Sequence, residues 1–382
     1  MSISCIDFFH LLVKNDVEFF AGVPDSLLKE FCLCIDDNLP PKNNIIAANE
    51  GNAVAIAAGY HLATGRLPMV YMQNSGLGNA INPLLSLCDT DVYSVPMLLL
   101  IGWRGEPGIY DEPQHVKQGK VQLDLLQVMD IPYEIISKNE QQVDKKIVQS
   151  AERALKENRP CAIVVKKGTF NVYGSTSQTF DEGLMTREES LEIILERLPN
   201  NSIIVSTTGK TSREIFEIRE RNNRPHFSDF LTVGSMGHCS SIALGIAIAK
   251  PDRKIVCVDG DGALIMHLGN LSTVGKLNPK NFYHVLINNY VHDSVGGQET
   301  SAKFIDIPKM VEANGYKYVF SAQNFSQLKN QFEDFLVSKG PAFLEIQVKP
   351  GSRKDLGRPQ KSPLENKKSF MQYLKNKGIK TV

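Results

Sequence analysis

Residues 256–289 read VCVDGDGALIMHLGNLSTVGKLNPKNFYHVLINN, and the fold is decided in them. The apolar run Ile255 to Val258 ends in Asp259-Gly260-Asp261-Gly262, which predicts a strand running into a tight glycine turn. Leu264, Leu268, Leu271 and Val274 follow at near-helical spacing. Leu277-Asn278-Pro279-Lys280 breaks that pattern, and Phe282 to Ile287 is a second buried strand. Together they form one βαβ unit, near the ~30 residues such a unit needs. In a parallel sheet both strand ends lie at the same carboxyl edge, so Asp261 and Asn289 are brought together although 28 positions apart. One carboxylate, one amide oxygen and a nearby backbone carbonyl make a hard oxygen shell suited to Mg²⁺, to be completed by phosphate oxygens of a ligand. Gly260 and Gly262 let a diphosphate approach the backbone closely.

Outward from this unit the alternation continues through Ile203 to Ser206, Ser235 to Ala249 and Ala342 to Val348. A second alternating region precedes it. Val17 to Ala21, Ile45 to Ala48, Pro68 to Gln73, Met97 to Gly102 and Ala162 to Lys166 read as strands, and Asn52 to Thr64 as a helix of small residues. Asp25 or Ser26 is placed to cap a helix. The expected fold class is α/β, with two doubly wound parallel-sheet domains at residues 1–170 and 186–350. A polar linker at 171–185 joins them, and a basic tail at 351–382 ends in a helix.

Composition removes several function classes. Lys+Arg and Asp+Glu both number 42, so no global charge argues for nucleic acid or a membrane surface. Asp7 and His10 interrupt the apolar N-terminus, which reads as an amphipathic helix and not a signal peptide. The longest apolar stretch, Val95 to Trp103, is nine residues and cannot span a bilayer. Seven scattered cysteines without a CxxC pair fit buried free thiols and a cytoplasmic location.

Gly-Asp-Gly, 25 residues and then Asn-Asn resembles the diphosphate-binding signature of thiamine-diphosphate enzymes. The resemblance implies thiamine diphosphate and Mg²⁺ as cofactors. Gly260, Asp261, Gly262 and Asn289 would hold the diphosphate end, with Asp261, Asn289 and the Val291 carbonyl as metal ligands. NEGNAVAIAAGYHLATG at 49–65 is similar to the same family's pattern around a catalytic glutamate. That implies Glu50 as the carboxylate bonded to N1′ of the aminopyrimidine; read without the family, it is a helix N-terminal charge worth ~0.3–1 kcal/mol. In Gly234-Ser235-Met236-Gly237 the resemblance puts Met236 beneath the bent cofactor and the Gly234 carbonyl against its 4′-amino group.

Three further stretches, 102–108 (GWRGEPG), 111–119 (DEPQHVKQG) and 292–298 (HDSVGGQ), with Leu356-Gly357-Arg358-Pro359, look like phosphonopyruvate decarboxylases and their sulfopyruvate-decarboxylating relatives. The likeness covers nearly the whole chain. It implies two domains without a middle one, and loss of CO₂ from a 2-oxo acid that carries a phosphonate, in phosphonate biosynthesis. It also implies a homodimer or higher homo-oligomer with active sites between subunits. A dianionic substrate needs cationic and hydrogen-bonding groups, for which Arg104, His115, Lys117, Lys120, Arg353, Lys354 and Arg358 are candidates. His115 and Gln118 lie on a loop that supplies polar active-site residues in the family, and His292 follows the metal ligands closely enough to act in proton transfer. His10, His61 and His267 fall in helical segments and read as structural.

Sulfopyruvate is the alternative substrate. Those relatives often split the two domains into separate chains, so a continuous chain favours the phosphonate. A non-catalytic protein of the same fold would be expected to lack Glu50 or a metal ligand, and all are present. Gly209-Lys210-Thr211 resembles the end of a P-loop, but Ile204 stands where that loop needs its first glycine, leaving Lys210 exposed or substrate-facing. No G-x-G-x-x-G follows a predicted strand, which argues against a dinucleotide-binding dehydrogenase.

Overall fold

The computed structural model of the chain describes residues 2–174 and 183–375. It divides into two compact units, Met1–Gln178 and Thr179–Val382. In the first, strands β1 (Phe20–Gly22), β2 (Asn44–Ile46), β3 (Met69–Gln73), β4 (Met97–Gly102), β5 (Tyr133–Ile136) and β6 (Pro160–Val165) form one sheet. Its order is β2-β1-β3-β4-β6-β5, and every pairing is parallel. In the second, β7 (Ile203–Ser206), β8 (Asp229–Leu231), β9 (Ile255–Gly260), β10 (Phe282–Asn288), β11 (Tyr318–Ala322) and β12 (Ala342–Gln347) form another. Its order is β11-β12-β10-β9-β7-β8, again all parallel. The expected α/β class with two parallel sheets is what the chain adopts.

Helices cover both faces of each sheet, so the central strands are apolar without interruption. Along β4, Leu98 and Leu100 enter one core, while Met97, Leu99 and Ile101 enter the core on the opposite face. In β9, Val256 and Val258 face one core and Ile255 and Cys257 the other. Each such side chain contributes about 1.5–3 kcal/mol relative to exposure.

Several boundaries differ from expectation for local reasons. β1 starts at Phe20 and not at Val17, because the Val17 N–H closes the preceding helix on the Leu12 carbonyl. Within the segment Ser235 to Ala249 the helix begins only at Cys239, since Ser235 (φ 57°) and Gly237 (φ 85°) are left-handed. The helix expected between β9 and β10 is two short ones, Asp261–Met266 and Asn270–Leu277, and His267 sits in the break. β5, β8 and β11 were not expected. β5, β8 and β11 lie at sheet edges, and the half-exposed positions there dilute the apolar signal.

Of the expected linker, residues 175–182 lie outside the described residues. The C-terminal helix is Pro363–Lys375, docked through buried Phe370. All seven cysteines are buried free thiols. Among the described residues no helix is long and apolar enough to cross a membrane.

Candidate active site

In the second unit β9 and β10 are hydrogen-bonded neighbours, so their carboxyl ends stand side by side. The tight glycine turn expected after β9 is absent. Gly260 is extended (φ −118°, ψ 155°) and leads directly into the helix at Asp261. The glycines matter here for their missing side chains. A Cβ on Gly262 would lie 3.0 Å from His292 Cε1 and 3.5 Å from Met236 Cε, so these three residues converge on one spot.

Asp261 is 3% exposed. Its Oδ2 accepts from the Thr300 hydroxyl. Burial pushes the carboxyl up to about 6, while the Thr300 hydroxyl and the N–H groups of Asp261, Gly262 and Asn289 pull the other way. Asn289 is buried, and its Oδ1 accepts from the Val291 N–H at 3.2 Å. Asn288 instead serves the fold, its amide donating to Glu345 Oε1 at 2.7 Å.

Tyr290, left-handed at φ 62°, turns the chain out of the sheet. A narrow hairpin follows, with Val291 bridging Glu299 and the His292 N–H donating to the Gln298 carbonyl at 2.8 Å. Burial lowers the His292 imidazole to about 4. Gln298 is 5% exposed, yet neither polar atom of its amide has a partner among the described residues.

These observations fit the implied cofactors. Asp261 is buried and has no ion pair among the described residues, so its carboxylate lacks a protein cation, as a Mg²⁺ ligand would. The orphaned Gln298 amide leaves hydrogen-bonding capacity for a polar ligand. Met236 is half-buried between two left-handed residues, Ser235 and Gly237. A Cβ on Gly237 would press to 2.6 Å from His267, so that turn has no space for a side chain. Gly234, on the same turn, is half-buried.

In the first unit Glu50 opens the helix Glu50–Thr64, which Asn49 caps by accepting from the Asn52 N–H at 3.0 Å. Glu50 is 6% exposed, and Asn79 Nδ2 donates to its Oε2 at 2.7 Å. A Cβ on Gly76 would stand 2.4 Å from Glu50 Oε1. Asn79 and Gly76 were not singled out as site residues. The run Asn74-Ser75-Gly76-Leu77-Gly78-Asn79 after β3 was the available signal.

Asp25 does not cap a helix directly, because the helix begins only at Lys29. It is a buried carboxylate bonded to the Gln73 amide and to the N–H groups of Leu27 and Leu28, and burial raises its pKa.

Arg104 and Arg353, among the anion-binding candidates, are already engaged. Arg104 makes a bidentate pair with Asp111 (2.8 and 2.5 Å) and donates to Ser26 Oγ. That guanidinium holds the Asp111 carboxyl down to about 2. Arg353 is paired with Glu188, Glu217 and Asp355. Lys117, Lys120, Lys354 and Arg358 are exposed. His115 is half-buried on the helix Pro113–Val128, where burial and then Arg104 push it down to about 4, and its Nδ1 has no partner among the described residues. Gln118, one turn on, is half-buried as well. Lys210, expected exposed or substrate-facing, is half-buried and paired with Asp293 at 3.2 Å.

Comparison with known proteins gives the same outline. Residues 7–128 match the family described as thiamine pyrophosphate enzyme, N-terminal TPP binding domain, and residues 207–346 match its C-terminal TPP binding domain. The chain is 33% identical to a phosphonopyruvate decarboxylase of Streptomyces viridochromogenes, over 93% of this chain and 90% of that protein. It is 32% identical to the phosphonopyruvate decarboxylase of Streptomyces hygroscopicus, over 97% and 94%. A sulfopyruvate decarboxylase of Methanosarcina acetivorans is 27% identical over 95% of this chain and 96% of its own. That last relative is itself continuous, so continuity of the chain does not favour the phosphonate as expected.

Proposed function

The chain belongs to the thiamine-diphosphate-dependent decarboxylases and is a carboxy-lyase of that family, and from this premise we propose that it converts 3-phosphonopyruvate to phosphonoacetaldehyde and CO₂. The observation that carries the substrate is the full-length likeness to two phosphonopyruvate decarboxylases, at higher identity than to the sulfopyruvate enzyme. A step that consumes phosphonopyruvate and leaves the carbon–phosphorus bond intact belongs to phosphonate biosynthesis.

Bound thiamine diphosphate supplies a carbon nucleophile and an electron sink for the pair released with CO₂. Asp261, Asn289 and the Val291 carbonyl would hold Mg²⁺, with Gly260 and Gly262 leaving the backbone open to the diphosphate. Glu50 would exchange a proton with N1′ of the aminopyrimidine, and Asn79 keeps one carboxylate oxygen in place for it. Met236 would support the ring system from below, with the Gly234 carbonyl accepting from its amino group. His292 is the candidate for proton delivery to the product, with His115 and Gln118 as further polar contacts.

We assign the working form to a cytoplasmic homodimer or larger homo-oligomer whose sites draw on two protomers. Two helix faces support it. Ala55, Ile56, Gly59, Leu62 and Ala63 are exposed on Glu50–Thr64, and the helix Cys239–Ala249 carries no charge and exposes Gly245, Ile248 and Ala249. Buried free thiols support the compartment.

The test is CO₂ release from phosphonopyruvate and sulfopyruvate side by side, with thiamine diphosphate and Mg²⁺ present and Glu50→Gln as control. Faster release from phosphonopyruvate, lost in the variant, is expected. Faster release from sulfopyruvate, the second reading, would keep the chemistry and replace the substrate.

A further inference from the structure

We propose that the interior of the second unit contains a site for a thiophilic divalent cation of the Zn²⁺ type, formed by Cys239, Cys257 and Asp259, with His284 beside Asp259. Cys257 and Asp259 are alternate residues of β9 and share one face of the sheet. His284 stands opposite Cys257 on β10, and Cys239 opens the helix that packs on this face. All four side chains are at most 2% exposed.

Two distances match ligand spacing around a cation, and in the free protein they are a thiol hydrogen bond and an ion pair. The Sγ atoms of Cys239 and Cys257 are 3.7 Å apart, and His284 Nε2 is 3.4 Å from Asp259 Oδ2. Around a tetrahedral zinc ion, Zn–S bonds near 2.3 Å put two sulfurs about 3.8 Å apart, and Zn–N and Zn–O bonds near 2.0–2.1 Å put nitrogen and oxygen about 3.4 Å apart. One ligand atom from each of Cys239, Cys257 and Asp259 also falls within 4.8 Å of the others. His284 stands outside that group and approaches it at Asp259.

Hydrogen bonding points the same way. Asp259 Oδ2 and His284 Nε2 are both buried without a hydrogen-bond partner among the described residues, although they lie near each other. Their other polar atoms are engaged: Asp259 Oδ1 accepts from the Gly260 N–H at 2.9 Å, and His284 Nδ1 meets the Tyr316 hydroxyl at 3.3 Å. A second-sphere partner on Nδ1 is what orients a histidine to ligate through Nε2. The two atoms meet each other in an ion pair at 3.4 Å, long for a hydrogen bond, and a cation seated between them would bind both. Sulfur donors separate this site from the all-oxygen set at Asp261 and select against Mg²⁺.

The test uses the full chain, saturated with thiamine diphosphate and Mg²⁺ so that the oxygen site is filled, and reduced under anaerobic conditions. Cobalt(II) added as probe should give a thiolate-to-cobalt charge-transfer band and intense tetrahedral d–d bands, both abolished by added Zn²⁺. After zinc loading and dialysis, metal analysis should find about one equivalent retained, falling at least tenfold in Cys239→Ser/Cys257→Ser. The cobalt spectrum of the unaltered chain decides the matter even if that variant fails to fold. A weak octahedral spectrum without charge transfer overturns the site. So does full zinc retention by a folded double variant, or a Cys239–Cys257 disulfide as the resting state of the protein purified without reductant.

Discussion

Asn79 Nδ2 donates to Glu50 Oε2 at 2.7 Å across 29 positions of chain, and Gly76 leaves the space in which the other carboxylate oxygen lies. A buried carboxylate is thus held by one amide and one absent side chain. Glu50→Gln should lower CO₂ release by about 10²–10⁴-fold, the usual range for a group that moves a proton in the transition state. Asn79→Ala removes a hydrogen bond to a charged group, ~1.5–3 kcal/mol, and should cost about 10- to 100-fold in kcat. Steady-state kinetics checks both, and an unchanged kcat in Asn79→Ala would refute the orienting role.

Gly262→Ala should fold normally but bind thiamine diphosphate more weakly. Its methyl group would meet His292 at 3.0 Å and stand near Met236, at the spot where the three residues converge. Titration calorimetry with the cofactor, beside a melting curve of the free protein, separates a binding defect from a folding one. The expected loss is about tenfold or more, the equivalent of 1.4 kcal/mol.

Metal withdrawal should act through Asp261. Chelation, or Asp261→Asn, should abolish cofactor-dependent stabilisation, which for ligand at a hundred times its Kd is about 2.7 kcal/mol. The readout is the change in melting temperature on adding thiamine diphosphate with and without Mg²⁺. A full shift in the chelated protein would show that Asp261 holds no essential cation.

Asp111 gives a pH signature. Its carboxyl is lowered from the ordinary 3.8 to about 2 by the Arg104 guanidinium. A depressed folded-state pKa contributes stability that is present above the unfolded value and is lost as pH falls through the folded one. The loss therefore falls between about pH 4 and pH 2. Denaturant midpoints of the native chain and Asp111→Asn should differ near neutrality and converge across that window. Parallel curves would show that the pair contributes no stability.

The apolar helix faces predict assembly. Ile248→Asp places a charge at an exposed apolar position of a helix that otherwise has none. It should shift sedimentation to a smaller species and remove activity with it, while far-ultraviolet circular dichroism stays unchanged. Native-size particles with full activity would exclude this face from the interface.

The pattern of Gly-Asp-Gly and Asn-Asn, and the apolar runs of β4, β6, β7, β9, β10 and β12, settled the two parallel sheets and the edge at which Asp261 and Asn289 meet. Those features depend only on chain-local periodicity and on the geometry of a parallel crossover, so they are readable without coordinates. The edge strands β5, β8 and β11 escaped because half-exposed strands carry mixed sequences. Partner choice was decided by tertiary structure alone. Arg104 looked like a free cation until Asp111 was found beside it, and Arg353 until Glu188 and Glu217 were. The Thr300 hydroxyl on Asp261, the Asn79 amide on Glu50 and the contact between Asp259 and His284 belong to the same class. Hydrogen bonds and ion pairs act over about 3–4 Å, and which groups come that close depends on how separate elements pack, which no local run of residues encodes.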